Sequence, residues 1–293
     1  MEGIILKGIG GFYTVKADAD GALHTLRAQG KLRRQKLKPM VGDRVQFTPS
    51  RGEEHGWIEA ILPRRNMLVR PPVANVDVIV LTVAAASPEA DLLLLDRMLL
   101  CARIAGMDAI VVINKADLSP DRADEIAKSY RLAGCLVYPV SAESGEGVPA
   151  LKQALLGKVH AFAGQSGVGK STLINALYGL QLVTGSISEK IERGKHTTRH
   201  CELIEVEGGG MVLDTPGFSL LELALCDPAL IKERYPEFLP YEKDCRFLTC
   251  VHITEPGCAV LQAMEDGKID IGRHERYQIL FDEMNQRWRD RYG

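Results

Sequence analysis

Asn114-Lys115-Ala116-Asp117 and Gly164-Gln165-Ser166-Gly167-Val168-Gly169-Lys170-Ser171 decide the fold between them, and their order decides its connectivity. The first stretch fits N-K-x-D, the element with which an α/β nucleotide domain reads guanine. The second fits G-x-x-x-x-G-K-[ST], the phosphate-binding loop. Farther along, Asp214-Thr215-Pro216-Gly217 supplies a D-x-x-G switch element. In the usual arrangement the phosphate loop comes first, the switch next and the base-reading motif last. Here the base-reading motif leads, so the sequence predicts a circularly permuted guanine-nucleotide domain.

The flanking residues supply the context that each motif needs. Val159-His160-Ala161-Phe162-Ala163 is strand-like, and Thr172 to Leu177 continues as a helix. A phosphate loop needs that strand–loop–helix setting, because its backbone N–H groups and the helix N-terminus hold the anion together. Gly164 and Gly169 let the chain bend around it, and the whole run from Gly164 through Thr172 is expected to line the nucleotide. Lys170 should reach the β- and γ-phosphates, and the Ser171 hydroxyl should ligate Mg²⁺. Ala109 to Ile113 is a continuous apolar run, as for a strand buried on both faces. Asn114, Lys115 and Asp117 therefore stand at a strand's carboxyl end, where open α/β sheets bind ligands. The Asp117 carboxylate can accept two hydrogen bonds from guanine, a donor pair that adenine lacks. Ser141-Ala142-Glu143 follows the strand-like Cys135–Val140 and matches the S-A-x element whose backbone also touches the base. Three loops thus converge on one nucleotide.

A chain of 293 residues, 46% of them hydrophobic, is long enough for two or three domains. Residues 1–65 carry short alternating strands and turn glycines, with Phe12–Val15, Val45–Phe47 and Trp57–Ile61 the clearest. That pattern predicts a five-stranded OB-fold barrel. The basic run Lys31, Arg33, Arg34, Lys36 and Lys38 points this barrel at RNA, although the net charge of −2 argues against a general polyanion binder. Arg64 to Pro72 reads as a linker. Residues 66–222 alternate strand and helix as a three-layer α/β/α domain does, with a helix over 90–105. Residues 223–293 read as a mostly helical third domain, ending in an amphipathic segment over 273–291. No run spans a bilayer and Met1-Glu2-Gly3 begins no signal peptide, so a cytoplasmic protein with no membrane partner is expected.

Seven cysteines in such a chain form no disulfide framework. Cys101, Cys135 and Cys201 lie in apolar patterns, and Cys226 has no evident partner. Cys245, Cys250, His252 and Cys258 differ, because C-x4-C-x-H-x5-C offers three thiolates and one imidazole to a tetrahedral ion. A closed set of this kind predicts one structural Zn²⁺. The segment is poor in apolar residues, so the metal is expected to supply much of its folding energy.

These features together resemble the bacterial ribosome small-subunit-dependent GTPase A family, the circularly permuted GTPases of 30S assembly. Val41-Gly42-Asp43-Arg44-Val45, Arg70-Pro71-Pro72 and Gly194-Lys195-His196-Thr197-Thr198-Arg199 add to the three nucleotide motifs and the cysteine–histidine cluster. The resemblance implies a GTPase stimulated by the 30S subunit, acting late in its maturation and binding 16S rRNA. GTP or GDP, Mg²⁺ and Zn²⁺ are the expected ligands, in a monomer.

On the residues alone, Thr198 rather than Thr197 is expected to complete the magnesium shell, Asp214 to reach the metal through water, and Gly217 to shift with the γ-phosphate. Phe218 stands where many GTPases carry a water-orienting glutamine, so intrinsic hydrolysis should be slow. His196 becomes the candidate for orienting the water, with Lys170 and Thr198 beside it as catalytic groups. Two other readings remain open. One is a nucleotide-gated RNA-binding assembly factor with negligible intrinsic turnover. The other is a P-loop kinase, against which the N-K-x-D and S-A-x pair speaks.

Overall fold

The computed structural model describes residues 1–50, 55–68, 72–180, 201–214 and 225–292. His196, Thr198, Gly217 and the basic group from Arg193 to His200 lie outside them, as does the Asp214 side chain.

Five strands close a barrel at the N-terminus: β1 (Glu2–Ile9), β2 (Phe12–Ala17), β3 (Leu23–Ala28), β4 (Arg44–Thr48) and β5 (Gly56–Ile61). A short helix, α1 (Gly30–Arg34), joins β3 to β4. Successive antiparallel pairs β1–β2 and β2–β3, a parallel β3–β5 pair and antiparallel β5–β4 run round to a β4–β1 pair that shuts the ring. Alternate residues fill it: Ile5, Val15, Leu26, Val45, Phe47 and Ile58 are essentially inaccessible. This is the OB-like barrel that the alternating pattern predicts.

The described residues of the expected linker make specific contacts with the barrel. Met67–Leu68 (β6) pairs antiparallel with Val73–Ala74 (β7). Arg64 donates to both carboxylate oxygens of the fully buried Asp43, at 2.7 and 2.9 Å. Asn75 donates to Gly42 O from the other side. A buried carboxylate needs such a bidentate partner, and here the partner comes from the segment that leaves the barrel. The proline pair conceals this from a reading of local propensity.

The central sheet runs β10 (Leu136–Pro139), β9 (Asp108–Asn114), β8 (Val78–Ala84), β11 (Val159–Ala163), β13 (Met211–Asp214) and β12 (Glu202–Glu205), all parallel except β12. Helices α2 (Leu92–Ile104) and α3 (Pro120–Leu132) pack on one face through Leu95, Met98, Leu99 and Ile126. Helices α4 (Val148–Leu155) and α5 (Lys170–Tyr178) pack on the other through Leu151, Leu155, Leu173 and Leu177. The strand buried on both faces that Ala109–Ile113 predicts is β9.

Two long-range features have no local signal. The outer edge of β12 pairs with β1 at Lys7 and Glu202, which makes barrel and nucleotide domain one continuous eleven-stranded sheet. Lys7–Glu202 and Lys16–Glu205 ion pairs flank that seam.

The C-terminal segment contributes α6 (Leu239–Glu242), α7 (Ala259–Glu265) and α8 (Ile271–Tyr292). Its core holds more apolar residues than their spacing in the sequence suggests. Ile231, Tyr235, Phe238, Val260, Tyr277, Leu280 and Met284 are buried in the same core as α2 and α3. Tyr235 stacks on Phe238 at 5.1 Å, and Tyr277 meets both edge-on. These apolar residues are spread thinly along the chain and meet only in three dimensions.

Candidate functional site

The carboxyl ends of β9, β10 and β11 bring the base-reading and phosphate loops together. Asn114, only 2% exposed, is the clasp. Its Nδ2 donates to Val168 O in the phosphate loop at 2.8 Å, and its Oδ1 accepts from Ala142 N at 3.0 Å. One side chain therefore joins all three loops, and an amide is the side chain that can donate and accept at once. Lys115, in a left-handed conformation at φ 59°, lays its ammonium on Gly167 O at 3.0 Å and on Ser87 O. Asp117 is exposed in the single 3₁₀ turn Ala116–Leu118. Ser141 is buried, with its hydroxyl accepting from Ser144 N.

The phosphate loop needs its glycines for space as well as for conformation. A Cβ on Gly164, at φ 150°, would stand 2.1 Å from Thr82 O on β8. One on Gly169, at φ 92°, would stand 2.4 Å from the Asn114 amide. Lys170 opens α5 and curls back to donate to Gly164 O at 2.6 Å and Gln165 O at 2.8 Å. Burial pushes its pKa down to about 8. A desolvated ammonium held by neutral carbonyls at a helix N-terminus is a ready partner for an anion.

Sequence reasoning missed the pair beneath this loop. His160 on β11 is fully buried; its Nδ1 lies 3.1 Å from Lys158 O, and Tyr178 O–H donates to its Nε2 at 2.7 Å. Burial holds the imidazole pKa below its usual value. The pair fastens the strand before the phosphate loop to the end of the helix after it. A histidine inside an otherwise apolar strand was the available signal.

In the C-terminal segment the sulfurs of Cys245, Cys250 and Cys258 and a ring nitrogen of His252 all lie within 4.8 Å of one another. His252 turns Nδ1 toward Cys258 Sγ at 3.4 Å and Cys245 Sγ at 3.7 Å. Its Nε2 is buried and unpaired, 3.8 Å from the Glu242 carboxylate. Burial pushes the Cys250 thiol up to about 12, so a thiolate there requires a cation. The donor set is closed and soft, and it fits a tetrahedral metal ion.

The loop that carries these donors is itself braced. The Glu255 carboxylate accepts from Val251, Ile253 and Thr254 N–H groups; burial works against its charge, but these bonds hold its pKa down at about 2. From α8, His274 Nε2 bonds His252 O and Tyr277 donates to Val251 O. His196, Thr198 and Gly217 lie outside the described residues, so the water-orienting and switch elements have no geometry to set beside these.

Comparison with known proteins agrees with this arrangement. The RsgA GTPase family matches residues 61–224, and the RsgA N-terminal domain matches residues 2–58. The small ribosomal subunit biogenesis GTPase RsgA of Ruminiclostridium cellulolyticum is 47% identical over 281 residues, covering 95% of this chain and 92% of that protein. The protein of the same name from Agathobacter rectalis is 42% identical over 299 residues, covering 98% and 99%. Among solved structures, YloQ, described as a circularly permuted GTPase, superposes with a TM-score of 0.80 at 35% identity, covering 98% and 95%. YjeQ from Thermotoga maritima gives 0.79 at 35%, covering 97% and 98%. The chain belongs to the RsgA GTPase family: it is a circularly permuted GTP hydrolase with an OB-like N-terminal barrel.

Proposed function

We propose that this RsgA-family GTPase is stimulated by the small ribosomal subunit and acts late in that subunit's maturation, binding 16S rRNA as a cytoplasmic monomer. The observation that carries the reading is the Asn114 clasp, which ties guanine-reading and phosphate loops into one pocket despite the permuted order. The names of its relatives supply the ribosomal subunit. Among the described residues no helix is long and apolar enough to cross a membrane, which is compatible with that setting. We divide the chain at 1–65, 66–222 and 223–293, as barrel, GTPase and metal-binding segments.

In this reading Asp117 accepts from guanine, with Asn114, Lys115, Ser141 and Ala142 shaping the base pocket. Gly164 through Thr172 surround the phosphates, Asp214 would reach the magnesium through water, and Gly217 responds to the γ-phosphate. Lys170 neutralises charge that grows on the transferred group. Ser171 and Thr198 hold Mg²⁺, which draws charge from the β- and γ-phosphates when bound. Cys245, Cys250, His252 and Cys258 hold one Zn²⁺ in a structural role. His196 orients the attacking water, since Phe218 cannot.

Turnover of GTP measured with 30S, 50S and 70S particles, with ATP as control, tests the proposal. Stimulation by 30S alone is expected, lost at least tenfold in His196→Ala while GTP still binds. No response to 30S particles would leave only a nucleotide-gated binding factor.

Base selection gives a second prediction. Asp117→Asn should weaken GTP binding by roughly a hundredfold, the loss expected when paired donors meet an amide, and should admit xanthosine triphosphate. Unchanged GTP affinity in a competition assay would remove Asp117 from the base pocket.

A further inference from the structure

Phe12, Arg27 and Trp57 form one row across the outside of the barrel. Phe12 is paired with Arg27, and Arg27 with Trp57, across β2, β3 and β5. Directly paired residues leave a sheet on the same face, and this face points away from the core, because the neighbouring Leu26 and Ile58 are fully buried. The Arg27 guanidinium lies 4.5 Å above the Phe12 ring, and the His55 ring meets Phe12 edge-on at 4.9 Å. Among the described residues no carboxylate pairs with Arg27. The ring therefore holds the guanidinium from one side, and Arg27 as a whole is exposed. Trp57 is 43% exposed, and Leu23, on the same face of β3, is 63% exposed. Folding gives no reason to set a tryptophan and a planar cation on the outside of a barrel.

The surroundings say what such a row takes. Barrels of this fold bind oligonucleotides on strands 2 and 3 and on the loops between strands 1 and 2 and strands 4 and 5. Phe12 follows the first of those loops, Arg27 lies on β3, and His55 stands at the end of the second. Just beyond Arg27 the chain enters α1, which exposes Lys31 and Arg34, with Lys36 and Lys38 exposed after it. Flat faces flanked by cations match unpaired bases joined by phosphates. A duplex keeps its bases stacked on one another and offers none to an indole.

We infer that Phe12, Arg27 and Trp57 are a stacking platform for unpaired nucleobases, so that the barrel binds a single-stranded RNA segment. Trp57 and the exposed Arg27 receive the bases, Phe12 holds Arg27 from one side, and Lys31 and Arg34 meet the phosphates. That the polymer is RNA rests on the proposed rRNA-binding function; the platform itself rests on the geometry.

The chain holds two tryptophans, so Trp288→Phe leaves Trp57 as the sole indole reporter in the full-length protein. Titration with an unstructured oligoribonucleotide of about ten residues, within the usual footprint of such a barrel, should quench that fluorescence. A duplex of the same length should not. In the otherwise native chain, Trp57→Ala should weaken single-strand affinity by about 5- to 150-fold, the worth of one base stack. Trp57→Phe should recover most of it, and GTP turnover without ribosomes should be unchanged in both. Absent quenching, or equal quenching by the duplex, overturns the platform. So does a Trp57→Ala chain that loses 30S affinity while keeping oligonucleotide affinity, because the row would then grip a ribosomal protein. If 30S particles still stimulate turnover when the oligonucleotide fails to bind, the platform falls and the proposed function stands. If the oligonucleotide quenches but 30S particles have no effect on turnover, the platform stands and the proposed function falls.

Discussion

Lys170→Ala should lower single-turnover GTP hydrolysis by roughly a thousandfold, the upper range for losing one preorganised charge-stabilising donor. The ammonium already sits between Gly164 O and Gln165 O, inside the loop that is proposed to cradle the phosphates. Among the described residues its partners are neutral carbonyls, and burial lowers its pKa. An arriving triphosphate supplies a counter-charge in a partly dry site, where a point charge acts strongly. Because its described bonds go only to the loop's own carbonyls, its removal should shift the melting temperature of the free protein little. That contrast separates a phosphate-binding role from a structural one. Turnover within threefold of the parent, measured with saturating nucleotide, would show that another cation neutralises the transferred group.

The site's chemistry is legible in the sequence because that chemistry is local. Asn114 to Asp117 and Gly164 to Ser171 are contiguous runs whose spacing carries their meaning; β9 announces itself by the unbroken apolar run Ala109–Ile113, and β11 by an apolar run that only His160 interrupts. The barrel is legible for the same reason, through period-two alternation in β2, β4 and β5. What stays hidden depends on residues far apart in the chain. Nothing near Lys7 indicates that β1 will pair with β12. Nothing near Arg64 indicates that it will satisfy a carboxylate buried under the barrel. His160 and Tyr178 meet only because β11 and α5 are folded back on each other. The three-loop clasp of Asn114 is half visible: its motif is plain in the sequence, but not the sharing of its amide between Val168 and Ala142.

The C-terminal segment shows the same division, and it carries the largest expected loss of stability. Arg273 on α8 is almost fully buried and bonds Asp96 on α2 and Glu237 ahead of α6. Asp96 has further partners, Arg276 and the Tyr130 hydroxyl. For the described Glu237 carboxylate, by contrast, Arg273 is the partner on one oxygen, and the other oxygen is buried without one. Arg273→Met should therefore cost about 3–5 kcal/mol, because it strands a buried charge as well as removing a bond. For a chain of this size that lowers the melting temperature by about 10 °C. Arg273→Met with Glu237→Leu removes both charges and should recover much of the loss, since paired apolar replacements of buried ions are often neutral. Thermal unfolding followed by circular dichroism measures both variants. The result bears on function, because this network and the shared core join α8 to α2 as one packed unit. A nucleotide-dependent rearrangement that swings the metal-binding segment away from the GTPase core would have to break Arg273 from Asp96. The barrel is attached differently, through the β1–β12 seam with its half-buried ion pairs and through the Arg64–Asp43 and Asn75–Gly42 contacts of the segment that leaves it. An Arg273→Met chain as stable as the parent would mean that the network is no pin, and the metal-binding segment would regain the freedom to move.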